Sequence, residues 1–249
     1  MADASPLRIA MWSGPRNIST AMMRAWGNRP DTYVCDEPLY AYYLRQSGAP
    51  HPGAQEVIRH HETDWRRVVE RLTGPIPDGK TIFFQKQMSH HLLPDVDRGW
   101  MDGLLNCFLI REPGAMLISL VHHVAHPALP DTGLPQQVEI FERVRASTGQ
   151  VPPVIDADDV LNDPEAILRR LCGAVGIEFT PRMLSWPPGP RDTDGIWAKY
   201  WYKEVVTTSE FLPYSPKIAP VPERLCGLYD ECLEYYHALY AHRLRVSTD

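Results

Sequence analysis

A chain of 249 residues with 44% hydrophobic and 22% charged side chains has the composition of a globular protein, near the upper size for one continuous core. Its formal net charge of −6 and pI of about 5.9 exclude the global basic field that recruits nucleic acid or an anionic membrane, while leaving local arginines free to bind a small anion. The five cysteines (Cys35, Cys107, Cys172, Cys226, Cys232) are odd in number and scattered, which argues against a disulfide framework and for a reducing compartment. No charged-then-apolar leader opens the chain, and no apolar run approaches the ~20 residues of a membrane span. The expectation is a cytoplasmic protein with neither nucleic acid nor membrane as partner.

Leu7–Trp12 is a short apolar run ending at Ser13-Gly14-Pro15, which reads as a buried strand and a tight turn. Ile18, Met22 and Trp26 then recur at helical spacing. Thr32–Cys35 reads as a second strand, stopped by Asp36-Glu37-Pro38. Asp64–Leu72 is an amphipathic helix, after which Gly74-Pro75 and Pro77-Asp78-Gly79 break the chain. Lys80–Gln85 and Leu104–Ile110 are further strands, the second apolar almost throughout, as suits a strand covered on both faces. Pro113–Val124 continues as a helix with proline in its first turn. A loop rich in Pro, Gly and His leads to a helix over Gln137–Arg145, and Val154–Ala157 is the last strand. Asp163-Pro164-Glu165 opens the helix Glu165–Val175, which ends at Gly176. Arg182–Pro220 is proline-rich and aromatic, and Pro222–Arg245 reads as a long C-terminal helix. Strands alternating with helices imply a three-layer α/β fold, a mainly parallel sheet with helices on both faces. Residues 1–249 read as one domain, with 182–220 a long functional loop over the C-terminal edge of the sheet.

Ser13-Gly14-Pro15-Arg16-Asn17-Ile18-Ser19-Thr20 lies between a strand and a helix. Backbone N–H groups in such a turn, with the positive end of the following helix, make an anion site. Arg16 can fork onto phosphate or sulfate oxygens, and Ser19 and Thr20 add hydroxyl donors. The segment lacks Gly-Lys-Ser/Thr and is not a Walker A loop. The same residues also suit a plain turn whose hydroxyls cap the helix. Arg111 shifts the balance, because a charge at the C-terminal end of a buried parallel strand falls in the ligand crevice. Pro113 then opens a helix, and Ser119 lies two turns into it. The alternative for Arg111 is a structural ion pair with Glu112 or another acid.

The pairing of this loop with Ile110-Arg111-Glu112-Pro113 and Ser119 resembles the sulfotransferases that use 3′-phosphoadenosine 5′-phosphosulfate (PAPS), bacterial-type members more than animal cytosolic ones. The resemblance implies a P-loop-like sulfotransferase fold in which Ser13, Gly14, Pro15, Arg16, Asn17, Ser19 and Thr20 grip the 5′-phosphosulfate. It implies that Arg111 and Ser119 grip the 3′-phosphate; the family serine lies eight residues beyond its arginine, as Ser119 does from Arg111. Asp158-Asp159-Val160-Leu161 through Asp163-Pro164-Glu165 resembles the strand-to-helix segment of the family, a structural match. The family commonly has lysine where Arg16 stands and glycine where Ile18 stands. Asp194-Gly195-Ile196-Trp197-Ala198-Lys199 looks like a degenerate form of its Gly-x-x-Gly-Asp-Trp-Lys loop, which implies that Lys199 or Lys203 closes over the cofactor. The implied reaction moves a sulfuryl group from PAPS to a hydroxyl or amine of a small-molecule acceptor, leaves adenosine 3′,5′-bisphosphate, and requires no metal. A nucleotide-dependent kinase of the same fold and a non-catalytic nucleotide-binding protein are the alternatives.

Sulfuryl transfer needs a base, cations for the leaving phosphate and nearly in-line reacting atoms. Glu37 is the preferred base. It follows the second strand at the edge of the crevice, some sulfotransferases place a glutamate base similarly, and Asp36 beside it raises its pKa by like-charge repulsion. Asp36-Glu37-Pro38 also suits a polar turn. His90 and His91 are the other candidates, since His titrates near neutrality. Lys86 stands where some family members carry a lysine on the bridging oxygen or sulfuryl group, and Arg16 completes the catalytic set. His122 and His126 have the i,i+4 spacing of a zinc pair but no evident third ligand, so no metal site is expected. Trp186, Trp197, Tyr200, Trp201 and Tyr202 suit packing of the long loop, an adenine stack or an acceptor pocket.

Overall fold

The computed structural model describes residues 6–213 and 220–246. Strands β1 (Leu7–Ser13), β2 (Thr32–Asp36), β3 (Ile82–Met88), β4 (Leu105–Ile110) and β5 (Val154–Asp156) form one sheet in the order β2-β3-β1-β4-β5. Every neighbouring pair is parallel. The helices are α1 (Ser19–Gly27), α2 (Tyr40–Ser47), α3 (Ala54–His60), α4 (Trp65–Thr73), α5 (Pro113–Leu120), α6 (Leu129–Thr132), α7 (Leu134–Thr148), α8 (Ala157–Asn162), α9 (Pro164–Ala174), α10 (Ala198–Trp201) and α11 (Cys226–Tyr240). Among the described residues no helix is long and apolar enough to cross a membrane.

The two-residue period of the strands divides the core in two. Ile9 and Met11 of β1, Phe84 of β3 and Leu109 of β4 bury on one face with Met22 and Trp26 of α1, Val160 of α8 and Leu168 of α9. Ala10, Trp12, Phe83 and Phe108 bury on the other with Val68 of α4, Phe141 of α7 and Leu239 of α11. The sheet is therefore the middle of three layers, as the alternation of strands and helices implied. Helix starts are set by side chains that satisfy free N–H groups: Glu112 accepts from Gly114 and Ala115, Asp156 from Asp158, and Asp163 from Ala166.

Several boundaries differ from the sequence reading. Helices α2 and α3 occupy a stretch where no element was expected. Tyr40–Leu44 is buried on every side, so it has no polar face and no helical period to read. Helix α5 stops at Leu120, short of Val124, and α11 is confined to Cys226–Tyr240, whereas α7 extends to Leu134–Thr148 with its proline tolerated in the first turn. The expected loop 182–220 contains the single-turn α10 and short 3-10 turns; its residues 214–219 lie outside the described residues.

The chain leaves β1 toward β2 and leaves β4 toward β5, and these adjacent strands therefore have connections that diverge. Their C-terminal ends open a crevice at this switch point. The turn after β1 is packed tightly beneath it: a Cβ on Gly14 would sit 2.4 Å from the carbonyl oxygen of Thr132. Because the obstacle is backbone, Gly14→Ala is expected to destabilise the fold by about 1–3 kcal/mol, the usual cost of overpacking. Calorimetry should show a thermal midpoint several degrees lower, and an unchanged midpoint would show that this contact is slack.

Candidate active site

Pro15, Arg16, Asn17, Ser19, Thr20, Arg111 and Ser119 all line one cavity of about 750 Å³, which also reaches Glu37, Lys86, His90 and His91. Ser13 and Gly14 lie outside its lining. The Ser13 hydroxyl donates to the Gln87 carbonyl at 3.4 Å, and Gly14 serves the close approach to Thr132. Asn17 braces the turn: its amide, oriented to satisfy both neighbours, donates to the Pro15 carbonyl at 2.9 Å and accepts from the Gly14 N–H at 3.3 Å. Arg16 (φ 61°) and Ile18 (φ 53°) are both left-handed, a conformation that costs an L-residue about 1–2 kcal/mol. Ile18 is the N-cap of α1 and offers no side-chain acceptor, so the first-turn N–H groups remain available to an anion.

The two arginines converge. Arg111 Nη1 donates to the Arg16 carbonyl at 2.6 Å, and Arg16 Nε donates to Ser119 Oγ at 2.8 Å. Arg111 Nε is buried and without a partner. Among the described residues neither guanidinium forms an ion pair. Glu112 in particular is committed to capping α5, which removes the structural ion pair considered for Arg111. Burial lowers the Arg16 pKa, with Glu204 opposing and Arg111 adding to the effect. Two like charges held together without an ion-pair contact form a site suited to an anion.

The carboxylate side is built on the register of β2 with β3, which sets Asp36 beside Lys86. Lys86 Nζ lies 2.9 Å from Asp36 Oδ1, 2.5 Å from Glu37 Oε1 and 2.6 Å from the Tyr202 hydroxyl, with its side chain 1% exposed. Three donors meet three acceptors, leaving no Lys86 N–H for a sulfuryl oxygen. Tyr202 in turn donates to the Asp36 carboxylate at 2.7 Å. Burial opposes the Lys86 charge, but Asp36 and Glu37 outweigh it and raise the pKa. For Glu37, burial raises the pKa, Lys86 pulls it back and Asp36 pushes it up again, with a net rise. The like-charge effect expected from Asp36 is thus present and second to desolvation.

His90 and His91 sit in an aromatic stack: the His91 ring is 4.7 Å from both Tyr40 and Tyr43. Burial, with His51 nearby, pushes His90 down to about 3, and His91 also falls well below its ordinary value. Both are neutral at neutral pH, and Glu37, raised above the ordinary carboxylate value, is a stronger proton acceptor than His90. Lys199 lies apart from the cavity, exposed and paired with Glu56 at 2.6 Å, and Lys203 is exposed.

Sequence reasoning missed what ties the long loop down. Arg24 of α1 forms a two-pronged ion pair with Asp194 at 2.6 and 2.7 Å, both side chains under 5% exposed. Next to it, the Gly195 N–H donates to Asp36 Oδ2 at 3.0 Å. A Cβ on Gly195 would fall 2.1 Å from the Trp197 ring, so only glycine lets that indole fold back, where its N–H reaches the Tyr202 hydroxyl at 3.3 Å. No local pattern announces Arg24 or Asp194; the Asp194-Gly195 pair is visible only through the family loop it resembles.

The family model for the sulfotransferase domain matches residues 7–243, and the chain belongs to that family. Two proteins of Arabidopsis thaliana, branched-chain-amino-acid aminotransferase-like proteins 2 and 1, are each 35% identical over 96% of this chain. The chain spans 42% of their length. Among solved structures, the sulfotransferase domain of the Synechococcus PCC 7002 olefin synthase is similar at a TM-score of 0.51 and 14% identity, covering 98% of both chains. A sulfotransferase from Alicyclobacillus acidocaldarius is similar at 0.52 and 11%, covering 96% of this chain and 98% of that one. At such identities the likeness is one of fold.

The Arg24–Asp194 pair supplies a test of the loop's anchorage. Asp194→Ala leaves a buried guanidinium without its carboxylate, a change that typically costs about 3–5 kcal/mol. Urea unfolding should move to lower midpoint, and limited proteolysis should cut first within 187–213. A midpoint equal to that of the unaltered protein would show that the pair does not hold the loop.

Proposed function

We propose that this chain is a PAPS-dependent sulfotransferase that moves a sulfuryl group from PAPS to a hydroxyl or amine of a small-molecule acceptor. The observation that carries the reading is the convergence of Arg16 and Arg111, without ion-pair partners, in the same cavity as the buried carboxylate Glu37. The cavity's volume suits a nucleotide with a small acceptor. Its unpaired guanidiniums and the open N-terminus of α1 suit the donor's phosphates.

In this reading Arg16 and Arg111 bind the donor's anionic groups, and Arg16 is already desolvated where charge grows on the leaving phosphate. Glu37 takes the proton of the acceptor. The acceptor atom forms its bond to sulfur as the bond from sulfur to the 5′-phosphate oxygen breaks, and adenosine 3′,5′-bisphosphate departs with that electron pair. Lys86 is a positioning residue, fixing Glu37 through Oε1 and leaving Oε2 outside that hydrogen bond. A raised pKa suits a carboxylate for this task, because it strengthens the base.

Binding tests the donor site directly. Adenosine 3′,5′-bisphosphate should bind roughly a hundredfold more tightly than AMP in calorimetry, because each charge-assisted hydrogen bond to the added phosphate contributes about 1.5–3 kcal/mol. Arg111→Ala should erase most of the preference. Equal affinity for the two nucleotides in the unaltered protein would remove Arg111 and Ser119 from the assignment.

The base can be followed through pH. Activity requires ionised Glu37, so kcat/KM should climb through an acid limb placed above the ordinary carboxylate range. Asp36→Asn deletes a charge that raises the Glu37 pKa and leaves Lys86 to Glu37 alone, and both changes lower it. The acid limb should therefore move to lower pH in this variant while the maximal rate falls, as a weaker base accepts the proton. A limb that stays in place would show that another group titrates.

A further inference from the structure

We infer that the acceptor bound beside Glu37 carries a positive charge as well as its nucleophilic hydroxyl: the compartment is built for a cationic, ring-sized acceptor and against an anionic one. This rests on the sulfuryl-transfer reading above and concerns the other end of the same cavity. Its walls are aromatic. Tyr40 stacks on His91 with an interplanar angle of 8°, Tyr43 meets His90 edge-on at 5.4 Å, and Trp201 closes on His51 at 5.7 Å. The Tyr40 hydroxyl is tied to His51 Nδ1 at 2.9 Å, which fixes the stack, and half-buried Trp201 lines the cavity beside it. Rings of this kind attract an ammonium group by cation–π interaction.

The charges agree with the rings. Lys86 is the one ammonium lining the cavity among the described residues, and its three donors are consumed by Asp36, Glu37 and Tyr202. His90 and His91 are buried, and the Nδ1 atom of each has no hydrogen-bond partner, the state of uncharged imidazoles. Burial also lowers His51, although Asp131 pulls the other way. The formal charges left facing this compartment are therefore acidic. The carboxylates lining the cavity are Glu37, Asp131, Glu204 and Glu210; Glu204 acts on Arg16 at the donor end, while Asp131 acts electrostatically on His51 and Tyr43 and uses Oδ2 to accept from the Ala128 N–H at 2.8 Å. Arg16 and Arg111 lie at the donor end, where bound phosphates cancel them. A cation in the aromatic compartment gains from Glu37, Asp131 and the ring faces together, while an anion is repelled by the carboxylates and finds no donor cation. Asp131 is the specificity-determining residue in this scheme, through charge complementarity and rejection of the wrong sign.

Three phenols of similar shape separate the possibilities: tyramine, which bears an ammonium; 4-ethylphenol, which is neutral; and 4-hydroxyphenylacetate, which is an anion. Each is titrated calorimetrically into the protein, both free of nucleotide and saturated with adenosine 3′,5′-bisphosphate. Tyramine should bind about tenfold more tightly than 4-ethylphenol, the scale of one partly buried cation contact, and the anion more weakly than either. Asp131→Asn keeps an oxygen for the Ala128 N–H but removes the charge, and should bring tyramine and 4-ethylphenol together. Equal affinities, a preference for the anion, or no binding by any of the three overturns the inference, as does a tyramine advantage that survives Asp131→Asn. A protein that fails to bind the bisphosphate strikes the PAPS reading instead, and tyramine against 4-ethylphenol, with and without Asp131→Asn, still decides this one.

Discussion

A lysine in the interior of an α/β sheet must be compensated where it stands, and Lys86 is compensated by Asp36, Glu37 and Tyr202 within 2.9 Å. Desolvating an ammonium costs several kcal/mol unless counter-charges and hydrogen bonds surround it. That requirement draws three parts of the chain to one point. Strand β2 supplies Asp36 in register with Lys86 on β3, the turn after β2 supplies Glu37, and the long C-terminal loop supplies Tyr202. Glu37 is held because the lysine needs it, and the loop is folded over the sheet edge because its tyrosine completes the same cluster. The Arg24–Asp194 pair and the Gly195 N–H on Asp36 reinforce that placement from the other side.

Backbone strain is concentrated at the same edge. Among the described non-glycine residues with positive φ, Arg16, Ile18 and Glu37 line the cavity, and Asp78 lies elsewhere. Such conformations persist where surrounding contacts over-determine them, and they are a common mark of functional turns. At β1 the strained turn presents Arg16 and uncovers the N-terminus of α1; at β2 it turns Glu37 toward the cavity. Opposite charges are thus fixed by rigid strand ends at separate points of one crevice. In the proposed reaction these points would hold the anionic donor and the proton-bearing acceptor beside one another.

The layered fold was legible because its cause is local. Strand period and helix period alternate along the chain, and the resulting two-sided core has Ile9 and Met11 on one face with Ala10 and Trp12 on the other. The convergence of Arg16 and Arg111 was legible too, since both follow apolar strands and parallel strands send their C-terminal ends to one edge. Helix α2 was not, because a run of tyrosines buried all round has no periodic contrast. In sequence Lys86 stands as a cation for the sulfuryl group just past the strand Lys80–Gln85; its place inside β3 in register with Asp36 is a property of the sheet. Tyr202 and Asp194 reach their partners across 166 and 170 residues of sequence, and nothing in their own neighbourhood encodes the meeting. Lys199 shows the converse: its place in a motif-like segment pointed to the cofactor, while its side chain lies on the surface against Glu56.

The account stands or falls on Glu37 as the group that accepts a proton while the arginines hold the donor. Glu37→Gln keeps the shape of the side chain and an oxygen for Lys86, yet cannot take a proton at neutral pH. The decisive measurement is single-turnover transfer of labelled sulfuryl from PAPS to a phenol acceptor, made beside calorimetric binding of adenosine 3′,5′-bisphosphate to the same protein. The account predicts that the variant binds the bisphosphate as the unaltered protein does while transfer falls by roughly 100- to 10,000-fold. Transfer at the unaltered rate in the folded variant would contradict it.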